Sequence, residues 1–331
     1  MSKERILCIF TGGTIAMDSE TLSSLSLAGE LLSAVPELAS IADIDVYQVS
    51  NFDSVEMTPE TWVAIAEKIY EAYDEYKGFV VIHGTDTMVY TASAVSFLIQ
   101  NLGKPIIFTG AQIPLSSRTG SDAKNNLIYS VRYALMDIAE VCIFFGTVLL
   151  RANRAKKVSG FELNAFGSFS LVPLGHAGVR LSLTGEGVRR SSARPKFKKG
   201  LVTDVFLLKI YPGMNPAVID KITEMGYRGV VIESFGTGNI PIGENSLIPA
   251  IKRAIDKGVA IVVTSQCEHG YAEDLYPSGR MLKKAGAIMA YDMTAEAALV
   301  KLMWVLGNSG TKRETRDLML TLMAGEFSPE E

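Results

Sequence analysis

Two threonine-rich turns are the segments of this sequence whose residue types and spacing could do chemistry. The first spans residues 11–14 (TGGT) and the second spans residues 83–87 (HGTDT). Glycine lets a backbone approach a ligand closely and present its N–H groups, and a threonine hydroxyl can attack an acyl carbon when a base accepts its proton. Thr14 and Thr85 are therefore candidate nucleophiles for acyl transfer.

Two charged residues could support such a hydroxyl. Asp86 directly follows Thr85, and a buried carboxylate at that place would be costly unless a cation paired with it. Lys157, which follows a later predicted strand, is a candidate partner for Asp86 and, in a desolvated site, a candidate base for Thr85. Backbone N–H groups of the glycine turns would stabilise the oxyanion. The alternative for Lys157 is an exposed basic turn.

Other roles for these turns and for neighbouring residues stay open. A glycine-rich turn after a first strand can bind a nucleotide or a phosphate, but neither GxGxxG nor GxxxxGK[ST] occurs at residues 11–14. Asp53 and Ser54 could bind a ligand or could cap a helix that begins near Thr58. His83 is expected to be a buried, hydrogen-bonded histidine at a strand end, without a chemical role.

Short apolar runs rich in β-branched residues precede the turns and predict the strands that position them. The runs lie at residues 5–10, 44–49, 78–83, 105–108 and 141–145. Because they do not alternate with polar residues, we expect strands covered on both faces, in a doubly wound, mainly parallel α/β sheet. Between them, apolar residues from Trp62 to Tyr73 recur at helical spacing after Thr58 and Pro59, which predict a helix start. The carboxyl ends of parallel strands meet at one edge of a sheet, so both turns and Lys157 are expected to converge there.

A second, smaller α/β domain is predicted beyond a break in this rhythm. The break is the polar, basic stretch at residues 189–200 (RRSSARPKFKKG). We assign residues 1–190 to an N-terminal domain that carries both threonine turns, 191–212 to a linker and 213–331 to the second domain. A solvated connection is the expected role of the basic residues, with a phosphate-binding patch as the alternative.

Composition and charge exclude several classes of protein. The 331 residues are 48% hydrophobic and 21% charged, which is typical of a globular enzyme and not of a disordered chain. The net charge of −4 argues against a dedicated nucleic-acid-binding protein. The apolar runs are too short to span a bilayer, and the first residues lack the pattern of a signal peptide. We therefore expect a cytoplasmic protein with no nucleic-acid or membrane partner.

Cysteine and histidine usage gives no sign of a disulfide framework or a metal site. The three cysteines are Cys8, Cys142 and Cys267, and the chain has only three histidines. Neither CxxC nor HExxH occurs. The sequence predicts reduced thiols, no metal and no cofactor.

The two turns belong to a larger set of motifs that resembles the bacterial-type L-asparaginases, most closely their cytoplasmic type I branch. These motifs lie at residues 9–16 (IFTGGTIA), 53–54 (DS), 83–88 (HGTDTM), 109–112 (TGAQ), 153–157 (NRAKK), 211–213 (YPG), 235–239 (FGTGN), 292–294 (DMT) and 325–326 (GE). The resemblance covers essentially the whole chain. It implies hydrolysis of L-asparagine to L-aspartate and ammonia through a threonine acyl-enzyme, without metal or cofactor and with a weak side activity on glutamine.

The resemblance also assigns expected roles to individual residues. Thr14 matches the nucleophile of the family. A second catalytic threonine of the family, with its supporting carboxylate and lysine, is matched by Thr85, Asp86 and Lys157. Thr85 and Asp86 also match residues that contact the substrate. Asp53 matches a position that helps to hold the α-amino and α-carboxylate groups of the substrate.

Further matches concern the rest of the substrate and the assembly. Ser54 and Asp86 match positions that hold the same α-substituents, and Ala111 matches a backbone contact to the amide. Family members are homotetramers built as dimers of dimers, in which a C-terminal domain completes the site of its neighbour, and Asn239 matches a residue of that kind. We therefore expect a homodimer or a homotetramer whose substrate is a small molecule.

The chain departs from the family pattern in two places. Residues 18–29 contain no tyrosine, whereas many members have one in this loop, hydrogen-bonded to the nucleophile; Ser24 stands near its place. Some mammalian type I relatives also lack it and use a tyrosine from the partner subunit, at a position that Tyr276 resembles. The alternative is that Tyr276 only anchors a turn. Glu233 stands where an allosterically activated bacterial enzyme has arginine, so the sequence does not predict allosteric activation.

Two other functions remain as alternatives. The first is a catalytically silent amino-acid-binding protein of the same fold, which the missing loop tyrosine favours and the retained Thr14, Thr85, Asp86 and Lys157 disfavour. The second is the tRNA-dependent amidotransferase subunit that shares these signatures after an additional N-terminal domain. Here Thr14 lies near the start of the sequence, so an asparaginase is the preferred expectation.

Overall fold

The structure, a computed structural model, describes residues 3–13, 33–117 and 120–329. Backbone packing divides the chain into two compact units, residues 1–197 and 198–331. This division falls inside the segment 191–212, the predicted linker. That segment contains one strand of each unit, at Lys196–Phe197 and Val205–Lys209.

The first unit is built on an eight-stranded sheet. The strands of this unit are β1 Arg5–Phe10, β2 Asp43–Gln48, β3 Gly78–Ile82, β4 Ile99–Gln100, β5 Ile106–Thr109, β6 Val141–Phe145, β7 Val148–Arg151, β8 Lys156–Lys157, β9 Phe166–Gly167, β10 Gly175–Ala177, β11 Leu181–Leu183 and β12 Lys196–Phe197. The order in the large sheet is β11-β10-β7-β6-β5-β3-β1-β2. The five strands from β6 to β2 are parallel, and β7, β10 and β11 add an antiparallel edge. The remaining strands form two small pairs, β4 with β12 and β8 with β9.

The antiparallel edge begins at a two-residue hairpin. Phe145 of β6 pairs with Val148 of β7, and Gly146 between them has φ +61°. Such tight turns need positive φ, which glycine adopts without strain. β7 therefore runs back toward the amino ends of the parallel strands.

Helices cover the sheet of the first unit. They are α1 Leu38–Ile41, α2 Pro59–Glu71, α3 Met88–Leu98 and α4 Ala123–Leu135. α2 begins at Pro59 after Thr58, as the sequence predicts, and buries Trp62, Ile65 and Ile69. α3 is different, because every residue except Tyr90 is buried. The strands of the large sheet carry the central apolar core of this unit, which includes Val80, Ile107 and Phe144.

The second unit has its own parallel sheet and core. Its strands are β13 Val205–Lys209, β14 Gly229–Ser234, β15 Ala260–Ser265 and β16 Ile288–Met289, and its helices are α5 Ala217–Glu224, α6 Ile248–Asp256, α7 Pro277–Ala285, α8 Ala295–Asn308 and α9 Lys312–Leu320. Neighbouring strands are parallel in the order β13-β14-β15-β16. The predicted fold class, a large mainly parallel sheet with a second, smaller α/β domain, is confirmed. None of the helices in the described residues is both long and apolar enough to cross a bilayer.

A fully buried ion pair links helix α8 to the C-terminal segment of the second unit. Lys301 Nζ on α8 lies 2.5 Å from Glu326 Oε1, and both side chains are inaccessible to solvent. Lys301 also donates to the carbonyls of Met319 and Thr321, and Glu326 accepts from the N–H of Ala324. Burial lowers the pKa of Lys301, an effect that the facing carboxylate opposes. The pair thus links α8 to the end of α9 and to the turn that follows.

Removing one charge of this pair should destabilise the protein strongly. We expect Lys301→Met to lower the free energy of unfolding by about 3–5 kcal/mol, because it leaves the Glu326 carboxylate buried without its cation. The double variant Lys301→Met, Glu326→Gln should be more stable than Lys301→Met, since glutamine is neutral and still accepts from Ala324. Urea unfolding followed by circular dichroism measures both. A double variant less stable than the single one would contradict this account.

Candidate active site

Glycines allow the turn after β1 to pack closely against the turns after β2 and β3, at the carboxyl edge of the sheet. Gly12 and Gly13 have φ of +104° and +90°. A Cβ on Gly12 would lie 2.3 Å from the carbonyl oxygen of Phe52, and one on Gly13 would lie 2.5 Å from the Cα of Gly84. No side chain fits at either position. The turns after β1, β2 and β3 are therefore packed backbone to backbone.

The turn that contains Ser54 is held by the turn after β3. A Cβ on Gly84 would lie 2.6 Å from Ser54 Oγ, and the Thr87 hydroxyl donates to the Ser54 carbonyl at 2.6 Å. Ser54 is buried, whereas Asp53 is exposed. Asp53 Oδ1 accepts from the N–H of Val55 at 3.1 Å, so this carboxylate caps the short 3-10 turn Ser54–Glu56 and not the helix that begins at Pro59.

Three of the residues singled out from the sequence are in direct contact. Lys157 Nζ donates to Thr85 Oγ1 at 2.8 Å and to Asp86 Oδ1 at 2.5 Å. The Thr85 hydroxyl in turn donates to Gln112 Oε1 at 3.4 Å. We call these four residues the Lys157 cluster. Its geometry places an ammonium group within hydrogen-bonding distance of the hydroxyl oxygen of Thr85, a residue that is only 7% exposed.

Exposure differs sharply within the Lys157 cluster. The side chain of Lys157 is 19% exposed and that of Asp86 is 56% exposed. Asp86 is therefore not the buried carboxylate that its place beside Thr85 suggests, because the turn leaves its side chain largely open to solvent. An ion pair with an exposed partner contributes little to stability, so its main effect is to hold the ammonium against Thr85.

Lys157 reaches the cluster by a route that differs from the expected one. Because β7 is antiparallel, its last residue, Arg151, pairs with Cys142 at the amino end of β6, away from the turns. The chain then packs along α3 through the 3-10 turn Ala152–Arg154 and returns to the turns in β8. α3 starts at Met88, directly after the second threonine turn. Packing against this helix, and not the end of a parallel strand, brings Lys157 to Asp86.

A buried network that sequence reasoning missed holds the turn after β5, which contains Ala111, in place. Asp122 accepts hydrogen bonds from the backbone N–H groups of Gln112 and Ile113, the latter at 2.9 Å. Asn126 donates to Asp122 Oδ2 at 3.0 Å and to the Gly110 carbonyl at 2.9 Å. This network fixes the backbone on both sides of Ala111. The signal that could have found it is the i, i+4 spacing of the two polar side chains at the start of α4.

His83 has a structural role at the end of β3. Its Nδ1 lies 2.7 Å from the Gly84 carbonyl, so this nitrogen carries the proton and donates. Nε2 lies 2.9 Å from Thr91 Oγ1 and accepts. Burial lowers the pKa of His83 to about 4. A neutral imidazole braces the turn that presents Thr85, in agreement with the prediction of a buried, hydrogen-bonded histidine.

Asn239 and Tyr276 lie in the second unit, in the loops after β14 and β15. Asn239 Oδ1 accepts a hydrogen bond of 2.6 Å from Ser278 Oγ, and its backbone pairs with Phe235 on both sides of a tight turn. With its oxygen accepting from Ser278, the Asn239 amide is fixed in orientation, and its NH2 group can act only as a donor. Tyr276 is half exposed and directly precedes α7, which begins at Pro277. Ser278, the residue that fixes Asn239, was not found from the sequence.

Two predicted features fall outside the described residues. Thr14 follows Gly13 in the first turn, and the loop at residues 18–29 with Ser24 comes after it.

Within the described residues, no group of three or more histidine, cysteine, aspartate or glutamate side chains is placed to hold a metal ion.

Family models match almost the full length of this chain. The model "Asparaginase, N-terminal" matches residues 5–188, and "Glutaminase/Asparaginase C-terminal domain" matches residues 204–319. The two matches together cover both units.

Individual relatives are similar over equally long stretches. The chain is 41% identical to a subunit of the glutamyl-tRNA(Gln) amidotransferase of Pyrococcus abyssi, over 98% of this chain and 77% of that protein. It is 36% identical to L-asparaginase 1 of Escherichia coli, over 100% of both proteins. The structure of L-asparaginase I from Vibrio cholerae superposes with a TM-score of 0.91 at 35% identity, over 99% of this chain and 100% of that chain. This chain therefore belongs to the asparaginase family, in its bacterial-type, type I branch.

Proposed function

We propose that this protein hydrolyses L-asparagine to L-aspartate and ammonia, with a weaker activity on L-glutamine. The observation that carries the proposal is the Lys157 cluster, in which an ammonium lies 2.8 Å from the hydroxyl oxygen of the buried residue Thr85. This pair lies at the same edge of the sheet as the glycine turn after β1, whose backbone N–H groups would stabilise an oxyanion. Membership of the asparaginase family supports the same reaction.

The proposed reaction has two half-reactions on Thr14. In the first, Thr14 Oγ attacks the side-chain carboxamide carbon, and its proton passes to the departing nitrogen, which leaves as ammonia. In the second, water attacks the resulting ester, which releases aspartate and returns the proton to Thr14. Backbone N–H groups of the glycine turns offset the charge on the carbonyl oxygen in both steps.

The proposed role of the Lys157 cluster is to move these protons. Lys157 Nζ and Thr85 Oγ1 are within hydrogen-bonding distance, so a proton can pass between them once a neutral amine is present. Thr85 would relay a proton to or from the attacking group, and Asp86 would hold the lysine in reach. Asp53 and Asp86 are also exposed carboxylates at the same edge, which suits them to bind the α-ammonium group of an amino acid. Ser54 and Ala111 would complete this side of the pocket through their backbones.

Ammonia release tests the proposal directly. The full chain is incubated with L-asparagine or L-glutamine over a concentration series, and ammonia is measured in a coupled assay. We expect faster release from asparagine. Binding of aspartate in a calorimeter without ammonia from either amide would instead identify a silent amino-acid-binding protein.

A second candidate function rests on the similarity to an amidotransferase subunit. The chain is 41% identical to a protein of that name over 98% of its own length. An amidotransferase subunit would use the same cluster to release ammonia for a second protein. That function predicts a preference for glutamine over asparagine in the same assay.

We further propose that Tyr276 of one subunit assists Thr14 of its partner, in a homodimer or homotetramer. Residues 18–29 supply no tyrosine, a threonine hydroxyl needs a proton acceptor, and the half-exposed Tyr276 is fixed before α7. In this assembly the C-terminal domain, with Asn239 and its N–H donors, completes the neighbouring site. Two-fold symmetry would form two such sites at once.

The variant Tyr276→Phe should lower turnover at least about a hundredfold, the scale of lost proton transfer in catalysis, with little change in melting temperature. Mixing it with Thr14→Ala subunits should restore some activity, because one site of a mixed dimer then holds both native residues. Native turnover in Tyr276→Phe would show that this tyrosine only anchors its turn.

We also propose a cytoplasmic location. Cys8 and Cys142 are buried free thiols, and burial raises the pKa of Cys8 to about 12. Such thiols are typical of proteins in a reducing compartment.

A further inference from the structure

A cavity of about 540 Å³ lies in the second unit, at the edge of the sheet opposite to Asn239 and Tyr276. It opens at the amino ends of β15 and β16, where Ala260 and Ile288 begin these strands, and Arg228 directly precedes β14. Asn239 and Tyr276 follow the carboxyl ends of β14 and β15, at the opposite edge of the same sheet. The cavity has the volume of a small-molecule site and is separate from the loops assigned to catalysis.

The walls of this cavity are apolar. Ile255 and Ile261 line it from α6 and β15, and Leu306 lines it from α8. Glycines at positions 258, 286 and 310 also line it and contribute no side chain there. A ligand with an apolar part of several carbon atoms could therefore bury that part here, away from water.

The rim of the cavity is cationic. Its charged lining residues are Arg228, Lys312, Arg313 and Arg316, and no aspartate or glutamate lines it. The chain as a whole carries more acidic than basic residues, with a net charge of −4. A lining with four cations and no carboxylate is therefore a local reversal of the charge of the protein.

These cations are only partly used within the protein. Lys312 donates to the Ile255 carbonyl at 2.6 Å, and Arg316 donates to the Ala287 carbonyl at 3.3 Å. Arg313 lies 3.6 Å from Asp317 in a pair that is largely exposed. No side-chain hydrogen bond or ion pair of Arg228 occurs within the described part of the chain. Three guanidinium groups thus remain able to bind a further acceptor.

Glu314 on α9 does not itself line the cavity. Glu314 turns back to accept from the N–H groups of Gly310 and Thr311, and Thr311 accepts from the N–H of Glu314, which forms a capping box. Its carboxylate is therefore fixed at the start of the helix.

We propose that this cavity binds a small amphipathic anion, with a phosphate or carboxylate head on an apolar body. The guanidinium groups of Arg228 and Arg316 bind the head, for which their planar donors are suited. The apolar walls take the body. The proposal concerns binding alone and holds whichever amide the catalytic site prefers.

Calorimetric titration of the full chain tests the proposal with four probes. Octyl phosphate and octanoate carry a head and a body, inorganic phosphate carries only a head, and 1-octanol carries only a body. We expect saturable binding of one or both octyl anions, at least about tenfold tighter than either fragment. The tighter of the two identifies the preferred head. Binding of inorganic phosphate as tight as that of octyl phosphate would contradict the amphipathic site.

Two variants and a control locate the bound anion. Arg228→Gln should weaken binding of the octyl anion about tenfold through loss of a charged hydrogen bond, and Ala260→Phe should abolish it by filling the cavity. Arg253→Gln is the control, because Arg253 pairs with Asp220 and does not line the cavity. Thermal melting checks that each variant is folded. No saturable binding of either octyl anion, or equal weakening by Arg228→Gln and Arg253→Gln, would overturn the proposal.

Discussion

The variant Lys157→Met should lower the turnover of L-asparagine by about a thousandfold while the protein remains folded. Methionine keeps much of the volume of the side chain but removes the ammonium that contacts Thr85 and Asp86. Since Asp86 is more than half exposed, loss of its ion pair costs little stability. The ammonia assay measures turnover, and thermal melting measures the fold.

A double-variant cycle separates a shared role from two independent ones. If Thr85 and Lys157 move one proton together, Thr85→Val with Lys157→Met should lose hardly more activity than either single variant. Lys156→Met is the matched control, because successive side chains of the short strand β8 lie on opposite faces. Multiplicative losses in the double variant, or an equal loss in Lys156→Met, would contradict the proposed relay.

The variant Thr14→Ala should also lose about a thousandfold or more in turnover, because it removes the proposed nucleophile. Thr14→Ser should keep a measurable part of the activity, since serine retains a hydroxyl at the same position. Aspartate binding by calorimetry provides the control that the pocket is intact. Thr14→Ala with native turnover would exclude Thr14 as the nucleophile.

Much of the first sheet could be predicted because its strands are buried on both faces. Continuous apolar runs gave β1, β3 and β6 within one residue of the observed ends. The amphipathic helix α2 was also visible, with Pro59 at its start. α3 was not, because a helix buried on nearly all sides shows no periodic alternation of polar and apolar residues.

The candidate site was predictable in its residue types and less so in its geometry. Thr85, Asp86 and Lys157 were singled out for their chemistry, but the antiparallel strand β7 changes the route by which Lys157 reaches them. This route depends on contacts with α3, which are distant in sequence. The exposure of Asp86 likewise follows from how the turn is oriented, which its residue type does not determine.

Residues that act by holding other residues were the ones that sequence reasoning missed. Asp122 fixes the backbone beside Ala111, and Ser278 fixes the amide of Asn239. The i, i+4 spacing of Asp122 and Asn126 is a weak signal for the first of these, but aspartate and serine are common at helix starts for other reasons, so their residue types alone do not indicate these hydrogen bonds. Only the folded chain reveals which partners they meet.

Trapping the acyl-enzyme tests the central claim most directly. The full chain is mixed with L-asparagine, quenched in acid within the first turnover, digested and analysed by mass spectrometry, with Thr14→Ala treated in the same way. The account predicts an aspartyl group esterified to Thr14 in the native protein and no such adduct in Thr14→Ala. An adduct on a different residue, or rapid ammonia release with no adduct under any quench time, would contradict it.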